Sequence, residues 1–470
     1  MSNRRFLPVA ALLFGLAVLL STPAIARTGR GHFVPDELVC RMLPDYTIDS
    51  VNAEFGTVVK SHQIATDCYL LIIPQGQNAE SLAISIEAYV GVEFCRPNYY
   101  LAAPEGLQRS SPFVDAQARL PIDSQKAATT INLEDAHLIA EGDGINIALI
   151  DGGVNFSHPE FALIADQFVT RWDYVSNDAL AFDEPGGSCS GHGTFIAGLL
   201  HLVAPASNIY VYRVLDTGGV GDGYSIAGAV LQAIDDSCSV INLSLGMVGV
   251  HDALDEALKL AKQRNIMVVA SAGNDSTDLN AIFPFPATRT YCLAIAALDT
   301  LNQKADFSNY GTKIAVCTPG TEIYSTFLDT TYATWEGTSF AAPFVTGLAA
   351  LILSVDSTLV WEQLDTTISQ TAVSVDSLNP GLEGLLGTGL INPVAALQSV
   401  LTHVHGDVTG DLTVDISDLN GLVDFLFFSL GESLVAPSAD ADCNGVVDVG
   451  DLTALIDHLF FNVTTTCMIP

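Results

Sequence analysis

Between residues 131 and 400, short apolar runs alternate with helical patterns, and this alternation restricts the fold more than any other feature of the chain. The runs lie at 145–150, 209–212, 240–244 and 266–270. A strand that is apolar along most of its length must be covered on both faces, and such strands separated by helices pair in parallel. The prediction is an α/β fold, with a doubly wound parallel-sheet domain over 131–400. In such sheets ligands bind beyond the carboxyl ends of the strands. Polar residues at those ends are therefore the first candidates for chemistry. With 49% hydrophobic and 15% charged residues, the chain has ample apolar side chain for packed cores, which excludes disorder as its main state.

Four motifs sit at strand ends or helix starts. Asp151 follows the first run, in Ile150-Asp151-Gly152-Gly153-Val154. His192 lies in Gly191-His192-Gly193-Thr194, before an apolar helix predicted over 195–203. Asn274 follows Ser271-Ala272-Gly273. Ser339 lies in Gly337-Thr338-Ser339, before an apolar helix predicted over 344–354. Each motif alone is common at turns and caps. Together they hold the residue types that acyl transfer needs. A serine hydroxyl becomes a nucleophile when an imidazole takes its proton. The imidazole needs a carboxylate to fix its tautomer. An asparagine amide can donate to the oxyanion, and a helix N-terminus favours the same charge.

The order Asp, His, Ser resembles that of the subtilisin-like serine proteases. The resemblance extends along 131–400, through IALIDGGV, SGHGTFIAGLL, INLSLG, VVASAGN and GTSFAAPFVTGLAAL. It implies Asp151 as the orienting carboxylate, His192 as general base and then acid, Ser339 as nucleophile and Asn274 as oxyanion donor. It also implies that Ser244, Leu245 and Gly246 pair with an extended substrate as an added strand, with Gly218 to Gly223 lining the opposite side. Four residues depart from the family pattern: Gly152 in place of Ser or Thr, Phe195 in place of a second His, Phe340 in place of Met and Phe344 in place of His.

The flanks carry their own signals. Arg4 and Arg5, the apolar stretch 7–20 and the small-residue site Ala24-Ile25-Ala26 read as a signal peptide over 1–26, leaving no membrane span after its cleavage. Residues 36–103 read as a small α/β unit resembling the propeptides of secreted subtilases, with strands at 38–43, 69–73 and 92–94 and helices near 46–55 and 79–90. The stretch 104–130, rich in Pro, Ser, Ala and Gln, reads as an exposed linker and a processing site. Export permits disulfides. The nine cysteines leave at least one unpaired within the chain, with Cys443 and Cys467 the pair suggested by their common module.

The C-terminal part is duplicated. DVTGDLTVDISD at 407–418 recurs as DADCNGVVDVGD at 440–451, a shift of 33 residues. The same shift maps Leu419, Leu422, Val423 and Leu426 onto Leu452, Leu455, Ile456 and Leu459, the spacing of one apolar helical face. Oxygens at loop positions 1, 3, 5, 7, 9 and 12 are the spacing that wraps Ca²⁺. Those positions are Asp407, Thr409, Asp411, the Thr413 carbonyl, Asp415 and Asp418 in the first loop. In the second they are Asp440, Asp442, Asn444, the Val446 carbonyl, Asp448 and Asp451. The second loop is expected to bind more tightly, because Gly445 suits its turn where the first loop has Leu412. Two loop–helix units over 405–462 resemble a type I dockerin, which implies a cohesin-like partner. Glu160 and the acidic loop 173–184 are weaker candidates for calcium in the catalytic domain.

The net charge of −35 excludes a nucleic-acid binder. Residues 314–470 hold 19 acidic residues and no Lys or Arg, and eight of those acids fall at the loop positions above. Taken together, the subtilase-like motifs, the signal-peptide pattern and the dockerin-like repeat imply a secreted or surface-attached, calcium-binding serine endopeptidase acting on proteins or peptides. The alternative is a catalytically inactive adhesion or assembly protein of the same fold, tethered through the tail.

Overall fold

The computed structural model describes residues 32–108, 110–115, 121–162, 164–282, 284–401, 406–409, 414–428, 436–442 and 446–461. The expected signal peptide, Cys443 and Cys467 lie outside them.

The central layer is a seven-stranded, wholly parallel sheet. Its order is Ile314–Pro319, Leu293–Leu298, Met267–Ser271, Val240–Leu243, Asn146–Asp151, Asn208–Arg213 and Phe168–Asp173. The run 145–150 is the first of these strands in the chain yet lies inside the sheet, so the winding reverses beside it and Asp151 stands next to the crevice this creates. Two helix pairs cover the sheet. His192–Val203 packs on Thr338–Val355, and Gly223–Asp235 packs on Asp252–Gln263. Helix Asp252–Gln263 is amphipathic, burying Ala253, Leu254, Ala257, Leu258 and Ala261. Helix Thr338–Val355 is long and apolar enough to cross a membrane, but it is the core helix of this layer and is buried on all sides.

The N-terminal unit folds as antiparallel strands Phe33–Met42, Val58–Gln63, Cys68–Ile72 and Val92–Ala102 with helices Ile48–Phe55 and Ala79–Glu87. The sequence patterns located both helices. They missed the strand Val58–Gln63, a polar edge strand without apolar alternation. Alternation along the other strands gives the sheet two apolar faces. Leu38, Cys40, Leu71 and Cys95 pack with the unit's own helices, while Val39, Leu70, Phe94 and Leu101 join the main core. Cys40 and Cys95 face each other in register and form a disulfide, whereas Cys68, Cys189, Cys238, Cys292 and Cys317 are buried thiols. Asn98, fully buried, locks the two units together: its amide N–H groups donate to Glu37 and Asp222, and its carbonyl accepts from Tyr224 N–H at 3.1 Å.

Among the described residues of 104–130, only part is the exposed linker expected. Pro104–Gln108 is helical with Pro104, Glu105 and Gly106 buried, and Phe113–Asp115 is a strand paired with Tyr332–Trp335. Helix Lys126–Thr130 buries Ala127 and Ala128. Small and polar residues suggest exposure when read locally; the cleft of another unit covers Pro104, Glu105 and Gly106, whereas Phe113, Val114 and Ser124 stay exposed.

In the tail, helices Ile416–Val423 and Val449–Phe461 pack through Leu422 and Leu455, which share a small core with Val408, Ala439, Ala441 and Ala454.

Candidate active site

Asp151 ends its strand and is fully buried. It accepts hydrogen bonds at Oδ1 from Gly152 N–H at 2.7 Å and from His192 Nδ1 at 2.8 Å. His192 is the first residue of its helix. The helix cap Gly191 has φ 89°, and a Cβ there would lie 2.3 Å from the Phe327 ring, so only glycine fits. Buried Asp183 accepts from Gly191 N–H, Thr194 N–H and the Thr194 hydroxyl, tying down the start of the same helix. Burial raises its carboxyl to about 7, against the lowering effect of those three bonds. The departures Phe195 and Phe340 pack against each other and against Trp335, whose ring meets His192 edge-on. Phe344 is buried in the same core.

Ser339 lies in the first turn of helix Thr338–Val355. Pro343, four residues on, has no N–H to give the Ser339 carbonyl. The Ser244 hydroxyl takes that place, donating to the Ser339 carbonyl at 2.9 Å. Ser244 thus supports the backbone of the serine turn from just beyond the end of the neighbouring strand. Asn274 is oriented by its own carbonyl oxygen, which accepts from Thr338 N–H at 3.0 Å and Thr338 hydroxyl at 2.8 Å. Its Nδ2 donor is therefore aimed at the space in front of Ser339.

That space holds a side chain from the N-terminal part of the chain. Glu105 accepts at Oε2 from the Ser339 hydroxyl at 2.6 Å and contacts His192 Nε2 at 3.2 Å, while its Oε1 accepts from Asn274 Nδ2 at 2.8 Å. Asp151, His192, Ser339 and Asn274 are thus brought together around one carboxylate. Burial would lower the proton affinity of His192, but the Asp151 and Glu105 carboxylates outweigh it and raise the ring to about 10. Glu105 has no motif around it, and sequence reasoning missed it.

Extended chain leads to this point. Tyr100, Leu101 and Ala102 pair antiparallel with Asp222, Gly221 and Val220 on one side. Ala102 and Gly246 exchange both backbone hydrogen bonds on the other, at 2.9 and 3.0 Å. Gly246 therefore pairs with extended chain, buried Leu245 lies beside it, and the Ser244 hydroxyl also serves the turn of Ser339. Next to this groove is a pocket of about 330 Å³ lined by Leu245, Met247, Val248, Ile282, Pro284 and Phe285, with Asn274 at its catalytic end.

A model of the subtilase family matches residues 142–389, which include all four catalytic candidates. The chain belongs to the subtilase family. Thermitase of Thermoactinomyces vulgaris is 37% identical over 226 residues, spanning 46% of this chain and 77% of thermitase. Subtilisin DY of Bacillus licheniformis is 33% identical over 268 residues, spanning 55% of this chain and 92% of that protein. Among solved structures, fervidolysin of Fervidobacterium pennivorans superposes with a TM-score of 0.64 at 21% identity, over 81% of this chain and 65% of fervidolysin, a likeness of fold. The protein is accordingly a serine endopeptidase that hydrolyses protein or peptide substrates, with the parallel α/β fold expected above.

The described residues of the two candidate metal loops share one hydrogen-bond pattern. In the first, Asp418 accepts from Thr409 N–H at 2.9 Å and Asp415 N–H at 2.8 Å. In the second, Asp451 accepts from Asp442 N–H at 3.0 Å and Asp448 N–H at 2.7 Å. Asp407, Asp418 and Asp451 are fully buried. Asp440, Asp442 and Asp451 each bring a carboxylate oxygen within 4.8 Å of the others, a spacing that suits a hard cation held at about 2.3–2.6 Å by each oxygen. Asp411, Thr413 and Asn444 lie outside the described residues. The weaker candidates have other partners: Asp173 and Glu184 pair with Arg213 at 2.8 and 2.9 Å, and Glu160 accepts from the Tyr332 hydroxyl.

Proposed function

We propose that this subtilase is a secreted endopeptidase that cuts extended peptides after a large apolar residue and carries a calcium-stabilised attachment module. The observation that carries this reading is the extended segment 100–102, held between residues 220–222 and Gly246 in the manner of a bound substrate. A substrate strand takes the same place. The apolar pocket beside Gly246 receives the side chain that precedes the scissile bond, and burial of a Leu- or Phe-sized group there supplies about 2–3 kcal/mol.

In the reaction, His192 Nε2 takes the Ser339 proton as Oγ attacks the substrate carbonyl. Asp151 holds the ring with Nδ1–H towards itself and stabilises the imidazolium. The developing oxyanion accepts from Asn274 Nδ2 and from the Ser339 backbone N–H. Collapse expels the amine, which takes the proton from His192, and leaves an acyl-enzyme. Water, deprotonated by His192, then releases the acid and regenerates Ser339.

Ca²⁺ in the tail supplies positive charge that offsets the buried carboxylates. Asp440, Asp442, Asp448 and Asp451, with Asn444 and the Val446 carbonyl, hold it in the second loop. Asp407, Thr409, Asp411, the Thr413 carbonyl, Asp415 and Asp418 hold it in the first. The exposed apolar residues Ile416, Val446 and Val449 border these loops and suit a cohesin-like partner. A peptide-library cleavage profile, run with and without Ca²⁺ against a Ser339→Ala control, tests the reading. Cleavage after large apolar residues by the wild type alone supports it. Equal rates for wild type and Ser339→Ala overturn it.

A further inference from the structure

Resting on the peptidase reading of this site, we propose that Glu105 is a built-in carboxylate stopper, and that the Pro104–Glu105 bond beside Ser339 is held in a form the enzyme does not cut.

The strand that enters the cleft ends at Ala102, and the residue that meets the nucleophile, Glu105, lies beyond its end. Ala102 pairs with Gly246, and Ala103 N–H donates to the Gly219 carbonyl at 2.9 Å. The next residue is Pro104, which has no N–H with which to continue the pairing. There the chain turns into the helical segment Pro104–Gln108. A peptide bond must lie extended across the serine, with its carbonyl at the oxyanion donors, to be attacked. The helical turn at Pro104 takes the backbone out of that arrangement. The donor position is filled by a side chain instead, since Glu105 Oε1 accepts from Asn274 Nδ2.

The carboxylate suits this place and is inert in it. Its two oxygens engage the hydroxyl of Ser339, the ring of His192 and the amide of Asn274, the three groups that move protons or bind the oxyanion. A carboxylate is a poor acyl donor, because attack would require expulsion of oxide. No bond is made or broken in the closed state. Glu105 is 1% exposed, and His192 is the cation it meets among the described residues. Without that pairing, a buried carboxylate would be strongly disfavoured.

The stopper is anchored on both sides. Before it lies the strand pairing with residues 220–222. After it, Trp335 Nε1–H donates to the Ser110 hydroxyl at 3.0 Å, and Phe113–Asp115 pairs with Tyr332–Trp335. The segment that fills the catalytic cleft is therefore held by strand pairing before and after it, and opening the cleft requires a cut elsewhere in the chain or release of that segment.

The test uses the full chain as wild type, Glu105→Ala, Glu105→Gln and Ser339→Ala. The readouts are the labelling rate of Ser339 by a fluorophosphonate and the intact mass at each time point. The glutamine variant keeps the volume of the side chain, and thermal unfolding checks that both variants fold. The expected result is that both Glu105 variants label at least tenfold faster than the wild type while still uncut, and that no wild-type fragment begins at Glu105. Wild-type labelling as fast as that of the folded Glu105 variants overturns the stopper, as does a first cut at Pro104–Glu105. If no chain labels, even after an added protease has removed the N-terminal unit, the peptidase reading falls and the stopper with it.

Discussion

At Asn274, one side chain is committed in two directions. Its carbonyl oxygen is held by Thr338 and its amide faces the reacting space. Asn274→Leu removes the donor while keeping the volume, and kcat of the opened enzyme is expected to fall about 10²- to 10³-fold with little change in KM. Initial rates on a single peptide check this. His192 gives a pH prediction. Its pKa in the closed chain is about 10 against an ordinary value of 6.5. A histidine shifted upward adds stability that is complete below about 6.5 and is lost as pH rises through about 10. Thermal unfolding of the closed chain should therefore move to lower temperature between pH 8 and 10, and move less in Glu105→Gln. That interval lies above the titration of Asp183, at about 7, so the neighbouring carboxyl does not mimic the effect.

At the scale of elements, the serine helix depends on a neighbouring strand. Pro343 leaves the Ser339 carbonyl without a helical partner, and Ser244 supplies one. Ser244→Ala should destabilise the chain by about 1–3 kcal/mol, because a buried acceptor then goes unsatisfied. Adding Pro343→Ala provides an N–H for that carbonyl, and the double variant should recover part of the loss. Urea unfolding of Ser244→Ala, Pro343→Ala and the double variant, each on a Ser339→Ala background, measures the coupling. Both residues stand inside recognisable motifs, yet their partnership is not readable from either one. Their link is the Ser339 carbonyl, which Pro343 leaves free and which accepts from Ser244, 95 residues away in the chain.

At the scale of the whole molecule, three units with their own cores are strung along an acidic chain. The N-terminal sheet turns one face to its own helices and the other to the catalytic core. The tail has its own small core, with buried carboxylates in each loop. Repulsion among those carboxylates should make the tail dependent on a cation. Chelation is expected to lower its unfolding temperature while leaving the catalytic transition in place, and Asp451→Ala should remove the tighter of two calorimetric Ca²⁺ binding steps. A flat titration of the full chain at millimolar Ca²⁺ would rule out the cation.

The parts legible in the sequence were those with a local signature. Apolar runs announced the parallel sheet, because strands covered on both faces need that composition. The catalytic candidates were readable because Asp151, His192, Asn274 and Ser339 each sit in a short motif at an element end. The 33-residue duplication announced the loops of the tail through spacing alone. The tertiary structure decided what has no such signature. Glu105 meets its partners across 87, 169 and 234 residues of chain, in a stretch whose composition suggests exposure. Its role exists only because the fold brings a strand of one unit into the cleft of another. A periodic pattern records how a segment meets its own neighbours, and contacts between distant segments leave no comparable period to read.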